Sequence, residues 1–95
     1  MKCGRLIFSG HALRRMFERN IGKDEVVAAV ADGEVILEYP EDQPYPSVLI
    51  LALTESVPLH VLVARDEQDI CYIVTSYRPD ASLWQNDFKK RRNTP

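Results

Sequence analysis

His60 is the residue of this sequence best suited to proton transfer, because histidine alone has an unperturbed pKa between pH 5 and 8. If Arg65 pairs with Ile70 across a four-residue loop, His60 lies opposite Thr75, with Tyr77 two positions farther along the same sheet face. The sequence thus predicts a polar patch with His60 and Tyr77 as catalytic candidates. The alternative, which pattern alone favours, is a hydrogen-bonded sheet histidine among ordinary strand-forming residues.

Three further polar residues follow one another at helical spacing near the N-terminus. His11, Arg15 and Arg19 recur every four residues, which places them on one stripe of a helix. We treat His11 as a third catalytic candidate and Arg15, Arg19, Thr75 and Arg78 as candidate substrate-binding residues, since arginine binds phosphate bidentately. The alternatives are a solvated helix face and a histidine that donates to a neighbouring carbonyl.

Two helices and four strands must position these side chains. The first helix is predicted over residues 10–20 with Ser9 as its N-cap, and the second over residues 23–31 with Gly33 in the left-handed position after its end. The short connection predicts an antiparallel helical hairpin. The predicted strands are residues 34–39, 47–53, 59–65 and 70–78.

These elements indicate an α+β fold in which the helical hairpin packs on a four-stranded antiparallel sheet, as one domain over residues 1–95. Ser82 and Gln85 have the spacing of a capping box. A short C-terminal helix over residues 83–91 is therefore predicted, with Trp84 and Phe88 docking one turn apart.

The net charge of −2 hides an asymmetry along the chain. Residues 1–20 carry five cations against one carboxylate, residues 21–80 three against twelve, and residues 81–95 four against one. The net charge argues against a general nucleic-acid coat. If both basic ends lie on one side of the sheet, a local anion site is still feasible, because a ligand responds mainly to nearby charges.

The cysteines, histidines and apolar stretches indicate which cell compartment and which cofactors to expect. Cys3 and Cys71 are expected to be separate thiols, as in a reducing compartment. The alternative is a disulfide between them. No two of the cysteines and histidines have metal-ligand spacing, so we expect no metal and no cofactor. The apolar stretches are too short to span a bilayer and no signal peptide is recognisable. A cytoplasmic protein without a membrane partner is expected.

Motifs spread over nearly the whole chain resemble those of a bacterial protein family. The resemblance is to the domain of unknown function 4258. The segments that carry it are Phe8-Ser9-x-His11-Ala12-x-x-Arg15-Met16-x-x-Arg19-x-Ile21, Gly33-Glu34-Val35-Ile36-x-x-Tyr39-Pro40, Pro58-Leu59-His60-Val61, Thr75-x-Tyr77-x-Pro79-Asp80 and Trp84.

That resemblance implies a divergent RelE-like toxin, a metal-independent endoribonuclease that turns a ribose 2′-hydroxyl onto the adjacent phosphate. It implies RNA as substrate and a cognate antitoxin, of zinc-ribbon type, as partner. His60 and Tyr77 would then serve as base and acid, while the arginines would hold phosphate. One departure is the pI of about 5.6, since RNA-cleaving members of the RelE-like fold are usually basic.

Two other functions stay open at this point. The acidic middle and the Pro-rich loop of residues 40–46 would suit a non-catalytic protein-interaction module. The second alternative is a degenerate toxin that keeps the fold but lacks the activity. An exposed sheet edge could pair with another copy, giving a homo-oligomer, or with an antitoxin segment.

Overall fold

Five strands and two helices make up residues 1–92, the part of the chain that this computed structural model describes. The α+β class is confirmed, while the last three residues of the predicted 1–95 domain lie outside the described residues. In chain order the elements are β1 (Arg5–Phe8), α1 (Gly10–Glu18), α2 (Lys23–Asp32), β2 (Glu34–Tyr39), β3 (Ser47–Thr54), β4 (Val57–Arg65) and β5 (Ile70–Tyr77).

The strands form one mixed sheet in the order β1-β5-β4-β3-β2. Strands β2 to β5 are antiparallel, as predicted, but β1 adds a fifth strand that runs parallel to β5. The prediction of four antiparallel strands is therefore wrong in number and in type. A four-residue strand shows little periodicity, and its parallel partner lies more than sixty residues away along the chain.

Both helices pack on one face of the sheet, α1 on β5 and α2 on β3 and β4. The Ser9 cap is confirmed, because its Oγ accepts a hydrogen bond of 3.0 Å from the Ala12 amide. Neither helix of residues 1–92 is long and apolar enough to cross a membrane. The core between helices and sheet is formed by Ala12, Met16, Ile21, Val26, Ala29, Val30, Ile50, Leu59, Val61, Val63, Cys71 and Ile73.

Gly33 ends α2 for a different reason from the predicted one. Its φ of −73° and ψ of 170° are extended rather than left-handed, so that prediction is wrong. A Cβ atom at Gly33 would lie 2.5 Å from the Ala29 carbonyl oxygen and 2.9 Å from that of Leu51. The glycine is needed because the backbone passes too close to its neighbours for any side chain.

The β4–β5 register differs from the prediction at the end that carries His60. His60 lies opposite Tyr77, while Thr75 lies opposite Leu62. The predicted pairing of His60 with Thr75 is therefore wrong by two positions. Because side chains alternate with a period of two, a shift of two leaves all three polar residues on the same face.

A β-bulge in β5 accounts for part of this shift. Arg65 pairs with Cys71, not with Ile70 as predicted, and the register then shifts so that Val74 has no partner on β4. The extra residue reverses the alternation within β5: Ile73 belongs to the helix-side core, and the residues after Val74 change sides. The bulge is thus what directs the end of β5 toward the His60 face.

Cys3 and Cys71 are joined by a disulfide, so the expectation of separate thiols is wrong. The pairing of β1 beside β5 brings the segment before β1 close to Cys71. The amide of Gly4 also donates to the Asp69 carbonyl at 2.8 Å. Because β1 was missing from the predicted sheet, the two cysteines could not be placed together from the sequence.

The predicted C-terminal helix is also wrong. Residues 79–92, the C-terminal strap, cross the sheet face opposite the helices as a folded loop with an isolated bridge between Trp84 and Arg91. Phe88 has a φ of 58°, which an α-helix does not allow. Instead of capping a helix, Ser82 donates its hydroxyl to Asp80 at 2.8 Å.

Candidate functional site

His60 is fully buried between β4 and the C-terminal strap. Its Nε2 lies 2.8 Å from the Phe88 carbonyl oxygen, and its Nδ1 lies 3.3 Å from the Tyr77 hydroxyl. Trp84 packs edge-on against the imidazole with ring centroids 4.5 Å apart. The strap therefore closes the histidine off from solvent and satisfies one of its two nitrogens.

These two hydrogen bonds define the protonation of His60. A carbonyl only accepts, so Nε2 carries the proton, and in the neutral ring Nδ1 accepts from the Tyr77 hydroxyl. Burial lowers the pKa of His60, and the bond to the Phe88 carbonyl opposes this shift only in part. The ring is neutral near pH 7 with its free lone pair directed at Tyr77.

Tyr77 connects the buried histidine with the surface. Burial raises its pKa, with a further contribution from nearby Tyr39, so the hydroxyl stays protonated and donates a hydrogen bond to Nδ1 of His60. The Tyr77 side chain also lines a shallow groove of about 270 Å³ on the strap side of the sheet, the Tyr39–Tyr77 groove. The other residues that line it are Tyr39, Asp42, Leu49, Leu62 and Thr75.

Arg19 brings a cation to the same end of β5. Its Nη1 donates to the Ser76 carbonyl at 2.7 Å and to the Thr75 hydroxyl at 3.3 Å, and the side chain remains exposed. β1 ends opposite Ile73, so it offers no strand partner to this part of β5. The guanidinium thus caps an unpaired stretch of strand edge beside the groove.

Arg78 does not join this group. Its Nη2 contacts both carboxylate oxygens of Glu25 at 3.0 and 3.1 Å, and its Nη1 donates to Thr54 at 2.9 Å. Partial burial raises the pKa of Glu25, but the Gly22 amide and Arg78 together hold that pKa below its usual value. Arg78 ties the start of α2 to the sheet and is not free to bind a ligand.

His11 and Arg15 lie on the exposed surface of α1. Arg15 pairs with Glu18 at 3.3 Å, a solvent-exposed pair of small energetic value. His11 lies two turns before Arg19, about 12 Å along the helix axis. Of the seven predicted site residues, the structure brings together His60, Tyr77, Thr75 and Arg19.

Comparison with known families matches the domain of unknown function DUF4258 over residues 8–78. That match spans most of the chain. The chain belongs to this family. No curated protein and no solved structure matches, and the predicted likeness to RelE-like toxins therefore stays a prediction.

The strap is the part of this DUF4258 site that the sequence did not reveal. Trp84 was expected to dock, but as part of a helix, and nothing predicted that the Phe88 carbonyl would bind His60. Arg91 lies over the Trp84 ring, 5.5 Å from its centroid, and lowers the pKa of Tyr77 in opposition to burial. The sequence at the end of β2, a tyrosine before a proline, also did not indicate that Tyr39 would line the same groove as Tyr77.

Two other features of the DUF4258 structure place the candidate site at this groove. A larger cleft of about 670 Å³ lies between the end of α2, the β3–β4 turn and the strap, but neither a histidine nor an arginine lines it. Within residues 1–92, no cluster of three or more histidine, cysteine or acidic side chains is arranged to hold a metal ion. Tyr77 lines this groove, His60 bonds Tyr77 and Arg19 bonds Thr75 beside it, so chemistry by side chains alone is best served here.

Proposed function

We propose that this DUF4258 chain is a toxin-type endoribonuclease that cleaves single-stranded RNA in the Tyr39–Tyr77 groove without a metal. The observation that carries the proposal is the hydrogen bond from the Tyr77 hydroxyl, which lines the groove, to the neutral Nδ1 of buried His60. A hydroxyl that is hydrogen-bonded to an imidazole can accept a proton from a ligand at the surface as it passes its own proton to the ring. The histidine itself stays buried.

The groove suits an unstacked nucleotide. Tyr39 and Tyr77 offer aromatic faces on which a base can stack, and Asp42 and Thr75 can accept or share hydrogen bonds with base or ribose. Arg19 adds a cation that can contact a phosphate at the groove's edge. These features support RNA rather than duplex DNA, because single-stranded bases are the ones free to enter such a groove.

The proposed reaction is attack of a ribose 2′-hydroxyl on the adjacent phosphorus. The 2′-hydroxyl proton passes to the Tyr77 oxygen as Tyr77 gives its own proton to Nδ1 of His60. The resulting imidazolium keeps its Nε2 bond to the Phe88 carbonyl. The bond from phosphorus to the 5′-oxygen breaks, that oxygen takes a proton from water, and Arg19 stabilises the phosphorane charge. The hydroxide that remains takes the Tyr77 proton as Tyr77 recovers its own from Nδ1 of His60, so the site returns to its starting state. The products carry a 2′,3′-cyclic phosphate and a 5′-hydroxyl.

Purified wild type and Tyr77→Phe should be compared on labelled single-stranded RNA of mixed sequence. We expect the wild type to give fragments ending in 2′,3′-cyclic phosphate, and Tyr77→Phe to cleave at least about a hundredfold more slowly. Tyr72→Phe is the matched control, because Tyr72 lies on the same strand but bonds Asp66. RNA with 2′-O-methyl groups should resist both proteins.

Arg19→Ala, with exposed Arg14→Ala as control, tests phosphate binding in the same assay. We expect weaker RNA binding for Arg19→Ala and no change for Arg14→Ala. Induced expression should arrest growth with the wild type but not with Tyr77→Phe, and a cognate antitoxin should relieve the arrest. RNA left intact by the wild type, or cleaved equally by Tyr77→Phe, would reject the proposal.

A non-catalytic interaction module is the second candidate, and one observation favours it. His60 has no exposed surface and both of its ring nitrogens are engaged, as in a residue that only stabilises the fold. In that case Tyr77→Phe would leave function unchanged. RNA binding or partner binding without cleavage products would then decide in favour of the module.

A further inference from the structure

The β2 end of the Tyr39–Tyr77 groove carries a carboxylate. Asp42 lines the groove beside Tyr39, three residues after the strand ends. The other lining side chains form one row across β3, β4 and β5, namely Leu49, Leu62 and Thr75. A carboxylate at this position limits which base the groove accepts, because the bases differ in the hydrogen-bond donors on their edges.

Two hydrogen bonds fix Asp42 in place. Its amide donates to the Tyr39 carbonyl at 3.2 Å, which closes a turn over Pro40 and Glu41. The hydroxyl of buried Ser47 donates to Oδ2 of the Asp42 carboxylate at 2.5 Å. Because Ser47 belongs to β3, the carboxylate is attached to the sheet and does not have to be ordered when a ligand binds.

The Asp42 carboxylate can still accept hydrogen bonds. Within residues 1–92 its Oδ1 has no hydrogen-bond partner, and Asp42 forms no ion pair there. A carboxylate oxygen has two acceptor positions, so Oδ2 can accept a second bond beside the one from Ser47. Asp42 is exposed, and its two adjacent acceptors are therefore available to a ligand in the groove.

Guanine is the base whose edge matches these two acceptors. Its N1–H and N2–H groups are adjacent donors on the Watson–Crick edge, so both oxygens of one carboxylate can accept from it. Adenine and cytosine each place an amino donor beside a ring nitrogen that only accepts. Uracil places its one N–H between two carbonyl oxygens. A carboxylate repels these additional acceptors and therefore favours guanine.

The other end of the groove carries the opposite charge. Arg19 donates to Thr75 on β5 at 3.3 Å, whereas Asp42 lies beside β2. Strands β5 and β2 are three strand spacings apart, about 14 Å. One nucleotide spans this width together with the side chains that reach it from both ends. Charge favours the orientation with the phosphate at Arg19 and the base edge at Asp42.

We infer that the Tyr39–Tyr77 groove selects guanine and that Asp42 determines this specificity. The inference rests on the proposed function, which places single-stranded RNA in the groove. Pockets for drug-sized ligands measure about 300–1,000 Å³, so a groove of about 270 Å³ suits a single base. Because Tyr77 lines the same groove, the 2′-hydroxyl that reacts belongs to the bound guanosine. RNA should therefore be cut on the 3′ side of guanosine.

Binding of RNA that cannot be cleaved tests the specificity separately from the reaction. The probes are labelled 2′-fluoro tetranucleotides of uridine in which one central base is guanine, hypoxanthine or adenine. Fluorescence anisotropy with the full chain should show that guanine is bound at least about tenfold more tightly than hypoxanthine, which lacks the N2 amino group. The adenine probe should bind more weakly than the guanine probe by at least the same factor.

Asp42→Asn is the test variant. Its amide oxygen can still accept from Ser47, but one of the two acceptors is replaced by a donor. We expect this variant to bind the guanine and hypoxanthine probes with equal affinity. Glu41→Gln is the matched control, because Glu41 is exposed in the same loop but is not among the residues that line the groove. It should keep the wild-type preference.

Three results would overturn the inference. One is equal affinity of the wild type for the guanine and hypoxanthine probes. Another is a guanine preference that Asp42→Asn retains, which would mean that other residues select the base. The third is a wild type that binds none of the probes up to about 1 mM, the limit of weak binding.

The same experiments separate this inference from the proposed function. A protein that prefers guanine through Asp42 but leaves RNA intact would reject the ribonuclease and support the guanine site. Cleavage of RNA with no preference for guanosine would support the ribonuclease and reject the guanine site.

Discussion

His60 combines two arrangements that are usually alternatives. It is buried and hydrogen-bonded at both nitrogens, as a structural histidine is, yet one of its partners is a hydroxyl that reaches a surface groove. The ring can therefore act on a ligand only through Tyr77. The effect of His60 on the stability of the fold can be separated from its effect on a ligand. The first depends on the titration of His60, and the second depends on the Tyr77 hydroxyl.

The stability of the fold should decrease as the pH is lowered from 7.5 to 5.5, because His60 is buried as the neutral ring. Burial lowers the pKa of His60 in the folded chain, so as the pH falls through about 6.5 the unfolded chain takes up a proton that the folded chain does not. The free energy of unfolding should decrease by up to about 1.4 kcal/mol at pH 5.5. Urea denaturation at both pH values measures this decrease.

His60→Gln is the comparison variant, because its amide can still donate to the Phe88 carbonyl but does not titrate. We expect it to be less stable at pH 7.5 and to lose less stability on acidification. His11 is retained in both proteins. An identical loss in the two proteins would mean that His60 is protonated as readily in the folded chain as in the unfolded one.

Half of the candidate site could be found from residue types and spacing. His60, Thr75 and Tyr77 share a face as predicted, although the register that led to this prediction was wrong by two positions. The bulge at Val74 was not recognisable, since a valine in a strand gives no sign of being unpaired. Arg78 was misplaced because its carboxylate partner, Glu25, lies fifty-three residues away.

At the scale of elements, the sequence located the helices and the antiparallel strands to within two residues. Those elements have strong local signals: an N-cap at Ser9, a Pro-rich loop and runs of β-branched residues. Both β1 and the strap depend on distant partners, β1 on β5 and the strap on His60 and Glu34. Long-range pairing of short segments leaves little trace in local periodicity.

Removing Trp84 should release the strap from His60. Trp84→Ala deletes a side chain that is 3% exposed and packs on the imidazole, so we expect a loss of about 3–4 kcal/mol in unfolding free energy. With the ring no longer enclosed, the pKa of His60 should rise toward its usual value. An NMR titration of the His60 ring protons measures this change.

Two variants keep the Trp84 prediction testable. Trp84→Phe retains most of the apolar cover and should give an intermediate pKa if Trp84→Ala is too unstable to study. Leu83→Ala is the matched control, because Leu83 is 44% exposed and should leave His60 unchanged. A folded Trp84→Ala protein with an unaltered His60 titration would mean that other residues enclose the ring.

At the scale of the whole molecule, hydrogen bonds and a disulfide hold the N-terminal segment against the rest of the fold. The Met1 amine donates to the Val30 carbonyl at 2.9 Å, and the Lys2 carbonyl accepts from Arg65 at 3.1 Å. The disulfide from Cys3 to Cys71 adds a covalent link across a separation of 68 residues. These contacts hold β1 against β5, and β5 carries Thr75 and Tyr77 at its other end.

Opening the disulfide should therefore lower the stability of the whole fold. Closing a loop of 68 residues removes chain entropy from the unfolded state, and this is worth roughly 4 kcal/mol. Denaturation with and without dithiothreitol should show that loss for the wild type. Cys3→Ala should match the reduced wild type and respond no further to the reductant, since it leaves one cysteine without a partner. A wild type whose midpoint is insensitive to dithiothreitol, while mass spectrometry shows the reduced form, would mean that packing of β1 on β5 suffices without the covalent link.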